Sequence, residues 1–225
     1  MLSKIKTLDD LWIYVDNINK THFPSNSLAP ILGNGKRDSP RFMFVFINPT
    51  AKNISSDKGW KGPRFPFIGT KQVWRIFHRA GLFDDSLMDE IDNNPVWSVG
   101  FANQVLRFLE QKDFYLTNIV KWTGKDAALP DADKISLFLP SLRREIEIVK
   151  PQYIVTFGLI PFERLTGRKI RLDDYYSSIK KRGKLEFYDA KVDSVGSKVI
   201  PCYFPVGRGN PSRAIEILKM LEELK

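Results

Sequence analysis

At 225 residues, 43% of them hydrophobic, the chain can bury a full core as one medium domain or at most two small ones. No apolar run approaches membrane-spanning length, and the N-terminus MLSKIKTLDDLW lacks the apolar stretch of a secretory signal, so an intracellular protein is expected. Cys202 is the only cysteine, which excludes an internal disulfide, a zinc knuckle and a cysteine-ligated iron–sulfur cluster.

A helix is predicted over 7–20, with Thr7 and Asp10 in capping-box spacing. Residues 21–40, rich in Pro, Ser, Asn and Gly, read as a loop. RFMFVFI, 41–47, is a near-continuous apolar run of the kind buried on both faces of a sheet. It stops at Asn48-Pro49, where Pro49 lacks an N–H and biases Asn48 away from the helical region. An ordinary strand end would look the same. Residues 48–69 are irregular, and Thr70 is expected to cap a helix in TKQVWRIFHRAGLF that Gly81 stops. Beyond a stretch without a pattern to Gly100, FANQVLRFLEQK reads as helix, DFYLTNIV as a second buried strand and KWTGKDAALP as loop. A helix over 131–150 is expected to kink at Pro140 and to end at Pro151. QYIVTFG is a third strand, followed by a short helix through Leu165. KLEFYDA and KVIPCYF look like strands, the second a fourth member of the sheet, and PSRAIEILKMLEEL closes the chain as an amphipathic helix.

Strands alternating with helices predict an α/β fold: a three-layer α/β/α sandwich around a central, mainly parallel four-stranded sheet. The whole chain, 1–225, is expected to form a single domain, with 1–40 as an N-terminal helix and loop extension. Ligands of such sheets sit beyond the carboxyl ends of the strands, where Asn48, Asn118 and Gly158 fall. The 35 Lys and Arg exceed the 26 acidic residues by nine, which suits a phosphate-tracking protein or a basic surface selected for solubility. Many of the cations lie in loops between apolar runs: Lys52, Lys58, Lys61, Arg64, Lys121, Lys125, Arg208 and Arg213.

Four of those loops together resemble the uracil-DNA glycosylase superfamily. FINPT is similar to the G-I-N-P-G signature of its mismatch-specific uracil and thymine-DNA glycosylase branch. FPFIG resembles that branch's pocket loop and the P-F-V-G of the iron–sulfur-type branch. LTNIVKW resembles the latter's T-N-x-x-K-C-R-P block, and NPSRA the N-P-S loop of the mismatch-specific enzymes. The resemblance covers roughly residues 40–225 and implies base-excision repair of DNA carrying uracil or a related deaminated or mispaired base.

It also implies roles. Asn48 matches the residue that positions the hydrolytic water, and Asn210 a second catalytic position. Ile47, Phe67 and Asn118 match the base-binding residues. A core aromatic is the rival reading for Phe67, one of 16 phenylalanines, and a loop-capping amide that for Asn118. Lys52, Lys61, Lys121, Arg208, Ser212 and Arg213 are the expected DNA contacts. The histidine of the usual H-P-S loop is absent from YFPVGRGNPS, and Trp122 stands where the iron–sulfur branch has a cysteine. The expected enzyme is a monofunctional glycosylase without metal or nucleotide cofactor. It would act as a monomer in the cytoplasm, at the nucleoid, or in the nucleus of a eukaryote. A catalytically weak nucleic-acid-binding protein on the same fold is the alternative. A small-molecule α/β enzyme is a third reading, against which stand the missing glycine-rich phosphate loop and nucleophile elbow.

Overall fold

Thr7 opens α1 (Leu8–His22): its side chain accepts from the Asp10 N–H, and its hydroxyl reaches the Asp10 carboxylate at 2.7 Å. The computed structural model describes residues 2–192, 195–207 and 209–224. The four long apolar runs become β2 (Phe42–Phe46), β3 (Phe114–Asn118), β4 (Tyr153–Phe157) and β6 (Lys198–Cys202). They pair in parallel in the order β3-β2-β4-β6, the central sheet that the sequence predicts. Two edge strands extend it antiparallel: β1 (Asn34–Gly35) beside β3, and β5 (Tyr188–Asp189) beside β6. Among the described residues the sheet therefore has six strands rather than four. The two residues of β1 carry no period, so no sequence pattern announces that strand, whereas β5 falls within KLEFYDA, which reads as a strand but not as a member of the sheet.

Register divides the layers. Phe42, Phe44 and Phe46 lie opposite Phe114, Leu116 and Asn118, while Met43 and Val45 lie opposite Tyr115 and Thr117. The phenylalanine face packs on α2 (Gln72–Arg79), α3 (Asp85–Asn93), α4 (Val99–Gln111), α7 (Leu172–Arg182) and α8 (Pro211–Lys219). The other face packs on α1, α5 (Ala132–Val149) and α6 (Leu159–Thr166). Aromatic pairs fix the first layer: Phe46 stacks on Phe157 with centroids 4.4 Å apart, and Phe44 meets Phe77 edge-on at 4.9 Å. Leu11, Val15 and Ile18 of α1 are buried in the second layer, so the N-terminal extension is built into the core.

Three local features add to the sequence reading. Thr70 does not cap α2; Lys71 holds that position, and the Thr70 hydroxyl donates to Phe67 O instead. Pro140 sits inside the continuous α5, which ends at Lys150 in the left-handed conformation. Helices α3 and α7 lie in segments where no helix was foreseen. No helix among the described residues is long and apolar enough to cross a membrane.

From β2 the chain passes to β3 on one side, then returns across β2 to β4 and β6. The order reverses at β2, and the crevice beyond the carboxyl ends at such a reversal is where α/β sheets bind ligands.

Candidate functional site

The segments leaving β2 and β3 are zipped together. Ile119 N–H donates to Phe46 O and Val120 N–H to Ile47 O, each at 2.9 Å; Gly124 N–H donates to Pro49 O at 3.0 Å. Asn48 is half-buried at this tip, with Nδ2 3.3 Å from Pro49 O. At the end of β4, Gly158 has φ 84°, and a Cβ there would stand 3.7 Å from Ile47 Cδ1. Ile47, Asn48 and the Gly158 turn thus share one edge of the sheet.

Asn118 ends β3 as the register partner of Phe46. It is 1% exposed, and neither its Oδ1 nor its Nδ2 has a hydrogen-bond partner. A loop-capping amide would be bonded at one end at least. Phe67, half-buried, packs edge-on against the same Phe46 ring at 4.6 Å. Its φ of 71° is rare for a bulky side chain. That backbone is pinned through the Phe67 carbonyl, which accepts from Thr70 N–H at 3.1 Å, the Thr70 hydroxyl at 3.1 Å and Trp74 Nε1–H at 3.0 Å. Buried Asn53 braces the loop, donating to Phe65 O at 2.9 Å and accepting from the Ser55 N–H and hydroxyl. The two expected base-binding residues therefore share Phe46 as a neighbour, Phe67 through its ring and Asn118 through the strand register, and the Asn118 amide keeps a free donor and a free acceptor.

The family model of the uracil DNA glycosylase superfamily matches residues 32–225. The chain belongs to the uracil-DNA glycosylase superfamily. A Type-4 uracil-DNA glycosylase from Sulfurisphaera tokodaii is 32% identical over 117 residues, 51% of this chain and 49% of the relative. The chain thus matches about half of that relative's length.

The last loop of this superfamily member is tightly folded. A Cβ on Gly209 would lie 1.8 Å from Phe204 O, so no other residue fits there. Asn210 caps α8 by accepting from Arg213 N–H at 3.1 Å, which engages the acceptor end of its amide. Ser212 is exposed. The Arg213 guanidinium pairs with Asp173, donates to the Tyr203 hydroxyl at 2.8 Å and covers the Tyr176 ring at 4.8 Å. Its charge is already offset. Arg208 lies outside the described residues. Lys52 and Lys61, like Lys125, are exposed around the strand ends, whereas Lys58 ties to Asn26 O and Arg64 to Ser55 O and Asp57 O.

Lys121 requires a correction. It was expected to meet phosphate, but its side chain is fully buried against Glu145, Nζ to Oε2 2.5 Å. It also donates to the Thr117 hydroxyl and, at 2.7 Å, to the carbonyl of Asn118. Burial lowers its pKa, and the Glu145 carboxylate opposes that shift. Glu145 completes the set by accepting from the Tyr115 hydroxyl at 2.8 Å. Sequence reasoning missed this cluster, although a signal existed: Glu145 interrupts the buried stripe Phe138, Leu142, Ile146, Val149 at helical spacing.

The residues present do not fit a cysteine-held iron–sulfur cluster. Cys202 is buried in β6 with its thiol pKa pushed up by burial, and Trp122 packs against Phe23 with centroids 5.8 Å apart. A cavity of about 860 Å³ lies between α1 and residues 23–32, lined in part by Trp12, Asn19, Phe23 and Arg64. Its charges are engaged, Lys20 with Asp16 and Arg64 with backbone carbonyls, and Asn19 Oδ1 is the buried atom there without a partner. The strand-end cluster has the better chemistry for reading a planar ring with alternating donors and acceptors.

Proposed function

We propose that the protein is a DNA glycosylase that hydrolyses the N-glycosidic bond of uracil, or of a related deaminated or mispaired base, in base-excision repair. The observation that carries the reading is the Asn118 side chain, buried at the carboxyl end of β3 with both amide atoms free. Family membership and the named relative support it. A base inside a duplex cannot be attacked, so the nucleotide is extruded into the protein. Asn118 Nδ2–H then meets the O4 acceptor of uracil, and Oδ1 meets the N3–H donor. Phe67 stacks on the base, with Ile47 as a wall. Exposed Lys52, Lys61 and Ser212 face the backbone phosphates.

Asn48 orients the attacking water. Cleavage builds positive charge on the sugar and negative charge on the departing base. A neutral amide neither takes the water's proton nor balances the sugar cation. The chemistry therefore leans on the leaving group: uracil and other electron-poor bases depart, while cytosine and adenine stay. Asn210, half engaged in capping α8, contributes its NH₂ end to the same loop. The protein needs neither metal nor nucleotide cofactor for this reaction and acts as a monomer.

The test is a panel of duplexes carrying uracil, thymine opposite guanine, hypoxanthine or xanthine, each treated with the protein and then with alkali to cleave abasic sites. Uracil-directed cleavage is expected. Salt-sensitive binding without cleavage of any member would leave a nucleic-acid binder instead.

A further inference from the structure

Behind the proposed base pocket lies a polar network that the reaction does not use. The side chains of Tyr115 and Thr117 point to the face of β3 opposite Asn118, and there meet Glu145 of α5 and Lys121. All three ammonium hydrogens of Lys121 are engaged, by Thr117 Oγ1, Glu145 Oε2 and the Asn118 carbonyl. The Glu145 carboxylate accepts from Tyr115, Thr117 and Lys121 in turn. Gly33 lets this cluster close: a Cβ there would lie 2.0 Å from Glu145 Oε1. Buried ion pairs are seldom net stabilising, because desolvation cancels much of the Coulomb gain. An apolar pair would fill the space as well for folding alone.

The Asn118 carbonyl is the last of β3, where the sheet ladder ends and the chain turns. Lys121 closes that turn from three residues downstream. We infer that Lys121 and Glu145 are positioning residues, which clamp the backbone of Asn118 from the far face of the sheet and so aim its amide at the extruded base. The inference rests on the proposed glycosylase reading. Without the clamp, the amide at the strand end can turn, and a misaimed donor and acceptor read the base poorly.

The test is a double-mutant cycle with single-turnover uracil release as the readout. One arm is Lys121→Met with Glu145→Gln, which removes both charges yet keeps an acceptor for Tyr115 and Thr117. The second arm is Asn118→Ala, and the third combines all three substitutions. The charge-free variant is expected to release uracil at least tenfold more slowly while binding undamaged duplex like the parent. The combined variant should be no slower than Asn118→Ala, since the network acts through Asn118. A rate within threefold of the parent overturns the inference, as do losses that multiply in the combined variant. Should the double variant not fold, Glu145→Gln alone carries the same cycle. A parent without uracil release counts against the proposed function, and a second readout then decides the inference. The Asn118 side-chain NH₂ resonance, assigned by its loss in Asn118→Ala, should shift or broaden in the charge-free variant or in Glu145→Gln. An unmoved resonance overturns the clamp.

Discussion

A buried amide with neither end bonded is an expense to the fold, about 1–3 kcal/mol for each unsatisfied group. Asn118 is such a residue, so its replacement by Leu, apolar and with the same branched heavy-atom skeleton, is predicted to stabilise the protein by about 1–3 kcal/mol. The check is the midpoint of urea unfolding at unchanged slope. An unchanged or lower midpoint would mean that the amide has a partner in solution. Asn48, at the neighbouring strand tip, is predicted to be needed for chemistry rather than folding. Asn48→Ala should abolish uracil release without lowering the urea midpoint, because truncating a half-buried loop end opens no core cavity. Asn48→Asp should release uracil faster than Asn48→Ala, since a carboxylate can accept the water's proton and face the sugar cation. Equal rates for the two variants in single turnover would remove Asn48 from the reaction. The place of both asparagines at strand ends was legible in the sequence because each closes an apolar strand run. Lys121 was misread because its partner, Glu145, lies 24 residues further on, and only packing brings the two together.

Helix ends and turn residues carry the next level. Lys150 closes α5 with φ 53° and ψ 56°, a left-handed conformation that glycine adopts without steric cost. Lys150→Gly is predicted to raise stability by about 0.5–1 kcal/mol, seen as a higher urea midpoint; a fall would mean that the lysine stem contributes packing. The Thr7 cap, the four buried strands and the Asp131 start of α5 were readable because each has a local signature. Helix α3 was not, since Leu87, Met88 and Ile91 are its buried residues within an acidic, Asn-rich stretch. Helix α7 buries Tyr175 and Ile179, too few positions to set a period. The Thr70 cap failed for a different reason. Thr70 closes the turn that holds Phe67 in its strained conformation, and local propensity does not foresee that tertiary demand.

For the molecule as a whole, buried phenols set the alkaline limit. Burial and Glu145 hold the Tyr115 pKa well above its ordinary value, and burial does the same for Tyr175. Burial and a hydrogen bond to Asp173 push Tyr203 up to about 12. A pKa raised in the folded state means that the unfolded chain loses its proton first. These groups therefore stabilise the fold fully below about pH 10 and lose that contribution as pH climbs toward 12. The unfolding midpoint should fall across this window, and Tyr203→Phe should fall less steeply than the parent; identical slopes would deny Tyr203 a part. The central claim is that the free amide at the end of β3 reads the base. Its most direct test is single-turnover release of uracil from one duplex by the parent and by Asn118→Ala at saturating protein, with duplex affinity measured alongside. The account predicts release by the parent, a loss of roughly two orders of magnitude in the variant, and equal affinity of both for undamaged DNA. Equal release rates, or no release by the parent, would contradict it.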